Sequence, residues 1–323
     1  MRTPWLVADI GGTNARFGLV DGPGGKPENV ETLAVAEHKS LADAVAAYLE
    51  EHGGGVWPEA ACLAIAGPVK NDRYRLTNAA WSGTASDLNL PHVDILNDFE
   101  ALAISLPHLA GDDLAPLGGP PPSSGHVKAV LGPGTGLGVA GLAPTHYGWA
   151  PVPGEGGHVS APVVTDLEFE VVRALRTDGL AHVEAEHLLS GPGLHRLHHG
   201  LSLVHGVPSE DLQAKDIVAS DDPLAVETIE VFLGLLGGFA GNVALTLGAR
   251  GGVYLGGGIL PRIVDRIPGS SFRARFELTG PALSDYVAAI ATVLIVSEMP
   301  ALIGDAAWLA QRLRPTEGVH EPA

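Results

Sequence analysis

Residues Asp9 to Val20 read Asp-Ile-Gly-Gly-Thr-Asn-Ala-Arg-Phe-Gly-Leu-Val, and the apolar run Trp5 to Ala8 leads straight into them. The pattern predicts a strand, a corner at Gly11 and Gly12, and a second strand from Ala15 to Val20. Two adjacent glycines remove every Cβ from that corner, which lets a ligand sit on the backbone N–H groups. Thr13 and Asn14 add side-chain donors, and Asp9 puts one carboxylate at the strand end. A phosphate and metal cradle fits these residues; an ordinary β-hairpin with a Gly-Gly turn fits them too. The same unit recurs roughly 120 residues later: a strand from Val127 to Leu131, the turn Gly132-Pro133-Gly134-Thr135-Gly136, and a strand from Leu137 to Leu142. A third strand, Val253 to Leu255, enters Gly256-Gly257-Gly258. The repetition points to a duplicated α/β domain with two phosphate loops.

Charge narrows the function. The formal net charge is −18 and no run of Lys or Arg occurs, which excludes nucleic acid and anionic membranes as expected partners. Lysine occurs only as Lys26, Lys39, Lys70, Lys128 and Lys215, none of them in a glycine-rich loop. A phosphate site here must therefore use backbone amides, hydroxyls or Arg. The glycine turns fit neither the Walker pattern nor Gly-x-Gly-x-x-Gly opening a helix, which disfavours P-loop NTPases and Rossmann dehydrogenases. The single cysteine, Cys62, lies in the apolar run Ala60 to Ala66 and reads as a buried thiol. It leaves no internal disulfide and no Cys-rich zinc site. At 323 residues with 46% hydrophobic content, about two domains with a core each are expected. The apolar stretch after Arg2 is too short for a signal peptide, so the expected location is cytoplasmic.

Along the chain, Ser40 and Asp43 form a capping box ahead of helical periodicity at Leu41, Ala44, Val45, Tyr48 and Leu49. Ala60 to Ala66 reads as a strand buried on both faces, Ser86 as the cap of a short helix, and Val93 to Leu96 as another strand. Asn97-Asp98 stands where that strand stops and a helix, Phe99 to Leu106, begins. Ligands bind at such carboxyl ends in open α/β sheets; capping the helix is the competing role for Asp98. Pro107 to Gly125 reads as a connection between domains. Gly154 to His158 is a loop with a carboxylate and an imidazole three residues apart, and Leu167 to Leu175 is helical. His195, His198 and His199 share a helix face without a matching carboxylate or cysteine, so a solvated face is expected rather than a metal site. Val231 to Ala249 is uncharged and long enough to cross a bilayer. Its glycines at 234, 237, 238 and 241 and the polar Asn242 point instead to a helix packed inside the core. Ala301 to Leu313 reads as a final helix and Arg314 to Ala323 as a loose tail.

Six collinear motifs then carry a family resemblance. They are Asp-Ile-Gly-Gly-Thr-Asn-Ala-Arg (9–16), Asn-Asp-Phe-Glu-Ala (97–101), Gly-Pro-Gly-Thr-Gly-Leu-Gly (132–138), Pro-Gly-Glu-Gly-Gly-His (153–158), Glu-His-Leu-Leu-Ser-Gly-Pro-Gly-Leu (186–194) and Gly-Gly-Gly-Ile-Leu-Pro-Arg (256–262). From about Leu6 to Arg312 the chain resembles the bacterial glucokinases, a zinc-free hexokinase branch of the actin-like ATPase superfamily. No cysteine cluster follows the Gly-His element, unlike in the zinc-containing relatives.

The resemblance implies an α/β protein of two actin-like, ribonuclease H-like domains, with mixed sheets flanked by helices and the active site in the interdomain cleft. The implied division is 1–109 plus 300–314 as a small domain, 110–299 as a large one, and 315–323 as a tail. Closure over the sugar, hinged near 107–125 and Met299-Pro300, goes with that architecture. So does a homodimer. The implied reaction is ATP-dependent phosphorylation of glucose at the 6-hydroxyl, giving glucose 6-phosphate and ADP, with Asp98 as general base. Asn97, Asp98, Glu155, His158 and Glu186 would bind the sugar, with Glu184 competing with Glu186. Gly11, Gly12, Thr13, Asn14, Gly134, Thr135 and Gly136 would hold the ATP phosphates, Gly257 and Gly258 would border the nucleoside, and Asp9 would orient Mg2+ through water. Arg16 fits either a phosphate contact or a surface ion pair. Another hexose (mannose or N-acetylglucosamine) or polyphosphate as donor stays open, because a few loop atoms decide between epimers. A sugar-sensing regulator is disfavoured: the first strand leaves no room for a helix-turn-helix, and the charge is acidic.

Overall fold

The computed structural model describes residues 4–208 and 211–314, so the expected tail at 315–323 lies outside the described residues. The chain divides into two compact units. The first runs up to Leu109, takes in Thr145–Ala150 and resumes at Glu298; the second comprises Ala110–Pro144 and Pro151–Ser297.

In the first unit, β1 (Trp5–Ile10), β2 (Asn14–Val20), β3 (Glu28–Ala34) and β4 (Ala60–Ile65) are followed by a small sheet of β5 (Val69–Lys70), β6 (Arg73–Arg75) and β7 (Ser82–Thr84). Strand β8 (His92–Asn97) completes the main sheet in the order β3-β2-β1-β4-β8. The hairpin strands run antiparallel, whereas β1, β4 and β8 are parallel. Leu6, Ala8, Ile10, Ala61, Leu63 and Ile65 point into one core with helix α1 (Leu41–His52). Val7, Cys62 and Ala64, on the alternate positions, are buried as well. Burial on both faces is why these strands read as unbroken apolar runs. The Ser40 hydroxyl caps α1 by accepting the Asp43 amide at 3.1 Å. Ser86 does not cap the short turn it was expected to start. Thr84 precedes that 3-10 turn, Ala85–Leu88, and its amide donates to Asp87 at 2.7 Å.

Helix α2 (Asp98–Ser105) and the C-terminal helix (Pro300–Arg312) form the other layer of this unit. They meet backbone to backbone, because a Cβ on Gly304 would lie 1.9 Å from the Ala101 carbonyl oxygen. One turn of the C-terminal helix places Asp305, wholly buried, against β4, where the Cys62 thiol donates to Oδ1 at 3.3 Å. Residues 145–150 belong here through Trp149, whose amide donates to Gln311 Oε1 at 2.9 Å and whose carbonyl accepts from Gln311 Nε2 at 2.9 Å. The reading of 110–299 as one uninterrupted segment misses this excursion, which no composition shift marks.

The second main sheet comprises β9 (Leu114–Gly118), β10 (Lys128–Pro133), β11 (Leu137–Thr145), β12 (Gly148–Gly154), β13 (Val253–Leu255) and β14 (Thr292–Ile295). Their order is β12-β11-β10-β13-β14-β9, the arrangement of the first sheet with β9 added at one edge. Again a strand–turn–strand unit, β10 and β11, is antiparallel and β10, β13 and β14 are parallel. Strand β9 corrects the reading of 107–125 as a plain connection: it pairs antiparallel with β14. Its Pro116 is tolerated because an edge strand has one side free of ladder bonds.

Around this sheet pack α3 (Asp166–Thr177), α4 (Gly191–His205), α5 (Ala214–Ala219), α6 (Pro223–Leu247), α7 (Phe272–Phe276) and α8 (Ser284–Ala288). Helix α6 is long and apolar enough to cross a membrane, but 67% of its most apolar stretch is buried in the protein. Its glycines let α7 approach: a Cβ on Gly237 would lie 2.1 Å from the Phe272 carbonyl oxygen, and one on Gly241 2.5 Å from that of Phe276. The histidines of α4 do not share one environment. His198 is buried, His195 Nδ1 lies 2.9 Å from the Leu212 carbonyl, and His199 Nε2 lies 3.0 Å from Asp178. A solvated face thus describes only part of the trio. Among the described residues no group of three or more His, Cys, Asp or Glu side chains is placed to hold a metal.

Candidate active site

In the first unit the parallel register sets Ile10, Ile65 and Asn97 in one row at the carboxyl ends of β1, β4 and β8. The first glycine turn leaves from that row. Its amide at Gly11 donates to the Asn14 carbonyl at 2.9 Å, and the Thr13 carbonyl accepts from Val35 at 2.9 Å. Gly12 is required by its surroundings: a Cβ there would sit 2.8 Å from the Asn78 Cβ. Thr13 and Asn14 are exposed at the tip.

Asn97, and not Asp98, caps α2. Its side-chain oxygen accepts the Phe99 amide at 3.0 Å, Glu100 accepts the Asn97 amide at 3.0 Å, and the Asn97 amide group donates to the Gly67 carbonyl at 3.3 Å. Asp98 is the first helical residue and shares the Phe99 amide at 3.1 Å. Burial pushes the Asp98 carboxyl up to about 6, with the negative charge of Asp9 adding to the shift and the Phe99 amide opposing it. Burial also raises Asp9, against the pull of the Arg16 guanidinium that faces it across β1 and β2. Two neighbouring carboxyls near the carboxyl end of the parallel strands therefore resist ionising together. Arg16 itself is engaged: Nη1 donates to the Glu298 carbonyl at 2.6 Å.

In the second unit the other two glycine turns pack against each other. A Cβ on Gly132 would lie 2.8 Å from the Gly256 carbonyl, and one on Gly257, which has φ of 87°, would lie 2.3 Å from the Pro133 oxygen. The Gly134 amide closes its turn on the Gly136 carbonyl at 2.8 Å, and the Gly134 carbonyl accepts from Gly191 at the start of α4 at 2.8 Å. Thr135, Gly257 and Gly258 are exposed at the tips.

The segment 184–190 connects these turns to the 154–158 loop. Ala185 to Leu189 is a turn before α4, held where the Ser190 hydroxyl donates to the Glu186 carbonyl at 2.8 Å and accepts the Gly193 amide at 3.0 Å. The Glu186 amide donates to the Gly157 carbonyl at 2.9 Å, and its side-chain Oε2 accepts the Leu137 amide at 2.8 Å. Glu184 takes a different partner, His158 Nδ1, at 2.8 Å. The two glutamates that sequence reasoning set as rivals thus each hold a separate element. The Glu184 hydrogen bond raises the His158 imidazole, with the charges of Glu186, Glu184 and Glu155 adding to it and desolvation opposing. Glu155 is exposed beside them.

Comparison with known proteins gives a consistent result. The glucokinase family model matches residues 6–312. A glucokinase of Aromatoleum aromaticum is 44% identical, covering 98% of this chain and 97% of its own. One of Saccharophagus degradans is 44% identical, over 95% and 98%. Among solved structures, the glucokinase from an Antarctic psychrotroph superposes with a TM-score of 0.88 at 35% identity, covering 96% of this chain and 99% of that one. A ROK family glucokinase from Streptomyces griseus, in complex with glucose and AMPPNP, has a TM-score of 0.61 at 21% identity over 96% and 99%, and shares the fold.

Proposed function

The chain belongs to the glucokinase family, enzymes that use ATP to phosphorylate glucose at the 6-hydroxyl, and we propose that Asp98 is the general base of its reaction. Its mixed α/β units are those of the actin-like ATPase fold. The observation that carries the assignment is the placement of Asp98 at the first position of α2, with its carboxyl held at about 6 by burial and by Asp9. Such a group is ionised at neutral pH, yet basic enough to take a proton in the transition state. Phosphoryl transfer passes through a loose transition state, so positioning and charge neutralisation supply most of the rate. As the sugar 6-oxygen bonds to the γ-phosphorus and the bond to ADP breaks, the hydroxyl proton passes to Asp98.

Asn97, Glu155, His158 and Glu186 are assigned to the sugar hydroxyls. The bonds described above support this by holding Asn97, His158 and Glu186 each on its own element, with Glu155 on the His158 loop. Gly11, Gly12, Thr13, Asn14, Gly134, Thr135 and Gly136 are assigned to the phosphates of ATP, and Gly257 and Gly258 to the nucleoside. The turns leave backbone amides and hydroxyls at exposed tips, as an anion site without lysine requires.

Asp9 fits Mg2+ as a single carboxylate beside a turn without side chains. Magnesium keeps most of its waters and takes one or two carboxylates plus phosphate oxygens, so a three-ligand protein cage is not needed. When bound it neutralises charge on the phosphates. A cytoplasmic homodimer completes the reading, supported by the family resemblance; light scattering on the purified protein checks the dimer.

Asp98→Asn tests the central assignment. Turnover should fall by about 10²- to 10⁴-fold, the usual share of general base catalysis, while glucose binding by calorimetry stays within about threefold. Normal kcat in this variant would remove Asp98 from the role.

A further inference from the structure

Glu184 stands outside every role assigned so far, yet it makes the most direct contact with the loop that carries Glu155 and His158. Its Oε2 lies 2.8 Å from His158 Nδ1, with the Glu184 side chain 25% exposed and that of His158 54% exposed. The backbone on both sides is tied: Ala185 donates to the Val159 carbonyl at 2.7 Å and Glu186 to that of Gly157 at 2.9 Å. Gly157 itself is pressed against β11, where a Cβ would lie 2.1 Å from the Leu137 carbonyl oxygen. The ring is thus held from one side by a carboxylate on a backbone that is itself anchored.

We propose that Glu184 is a positioning residue of the sugar site, which binds Nδ1–H of His158 and so fixes Nε2 as the atom offered to a sugar hydroxyl. The proposal rests on His158 belonging to the sugar site. An ionised carboxylate only accepts hydrogen bonds, so the proton on Nδ1 is assigned by its partner. The hydrogen bond from His158 holds the Glu184 carboxyl below its ordinary range and raises the imidazole in turn. The charged groups that face the ring are Glu155, Glu184 and Glu186; His182 and His187 face Glu184. Ionised, Glu155 and Glu186 only accept hydrogen bonds. The imidazolium, with Nε2–H, adds a donor beside them. Glucose affinity should therefore weaken as pH rises through the His158 titration, and Glu184 sets where that occurs.

Two substitutions separate the orienting role from the charge. Glu184→Ala removes both. Its glucose KM should rise about three- to tenfold, the size of one lost hydrogen bond, with kcat and the ATP KM within about twofold. Glu184→Gln keeps an acceptor of the same shape. It should recover most of the glucose KM at low pH, but its KM should start to rise at lower pH, and the His158 resonance should titrate lower by NMR of histidine-labelled protein. In the presence of His158→Gln, Glu184→Ala should add little further loss. A Glu184→Ala enzyme with parental glucose KM overturns the proposal. So does a Glu184→Gln enzyme in which His158 titrates as in the parent, or a rise shared equally by the ATP KM, which marks a purely structural role. His158→Gln alone distinguishes the two levels: an unchanged glucose KM removes His158 from the sugar site. A raised glucose KM there, with a silent Glu184→Ala, removes only the role of Glu184.

Discussion

The Glu186 carboxylate accepts the Leu137 amide hydrogen at 2.8 Å, so a side chain assigned to the sugar also braces the turn assigned to the phosphates. Leu137 is buried, and water cannot easily replace the lost acceptor. Glu186→Ala should therefore cost about 1–3 kcal/mol of stability, the range for an orphaned buried donor. It should also raise KM for glucose and ATP together, unlike a change at Glu184. Urea unfolding and initial rates measure both. A loss confined to glucose, at parental stability, would mean that the brace does not shape the turn.

Asp98 sets a pH limb. A base must be ionised, and its carboxyl stands at about 6 in the free protein. The glucose kcat/KM should rise with pH up to about 6, because this profile reports the free enzyme, and should fall again at higher pH where His158 loses its proton. The charge of Asp9 is part of the upward shift, so Asp9→Asn should lower the overall rate and move the limb of the residual activity to lower pH. An unmoved limb in that variant would separate the two carboxyls.

Asp305 makes a stability prediction of opposite utility. Burial pushes its carboxyl well above the ordinary range, the Cys62 thiol bond opposes this and Asp9 adds to it. In the folded state it holds its proton at pH values where the unfolded chain has released one. Its contribution is then fully present below the unfolded value near 3.9 and is lost as pH rises toward the folded value, at a slope of up to about 1.4 kcal/mol per pH unit. Asp305→Asn should abolish that slope, leaving the variant more stable relative to the parent at pH 7 than at pH 4.5. Urea midpoints at four pH values decide it; parallel curves would mean Asp305 is ionised in the fold.

The places where β1 and β8 end were legible because Gly11-Gly12 and Asn97-Asp98 interrupt apolar runs, and local chemistry marks such breaks. The repeat at Gly132 to Leu142 likewise pointed to a duplicated domain, and the two sheets share one strand order. Strand β9 was hidden because an edge strand with Pro116 and one free side carries no alternating pattern. The 145–150 excursion was hidden because it depends on Gln311, more than 160 positions away. The separate partners of Glu184 and Glu186 were out of reach for the same reason: two residues apart in sequence, they differ only in which backbone folds over them.

Gly304 joins fold to chemistry. A Cβ there would lie 1.9 Å from the Ala101 carbonyl oxygen, and backbone does not yield as a flexible side chain does. Ala101 is one turn into α2, whose first residue is Asp98. Gly304→Ala must therefore push α2 away from the C-terminal helix or tilt it. Overpacking of this kind costs about 1–3 kcal/mol, and a displacement near 1 Å at a reacting group reduces rates by up to about 10²-fold. The expected outcome is a lower Tm and a kcat reduced about ten- to a hundredfold, with the ATP KM little changed, because no glycine turn is touched. Gly304→Ser should be worse on both counts. Should Tm fall while kcat stays at the parental level, α2 absorbs the strain beyond Ala101 and the helix contact does not place Asp98.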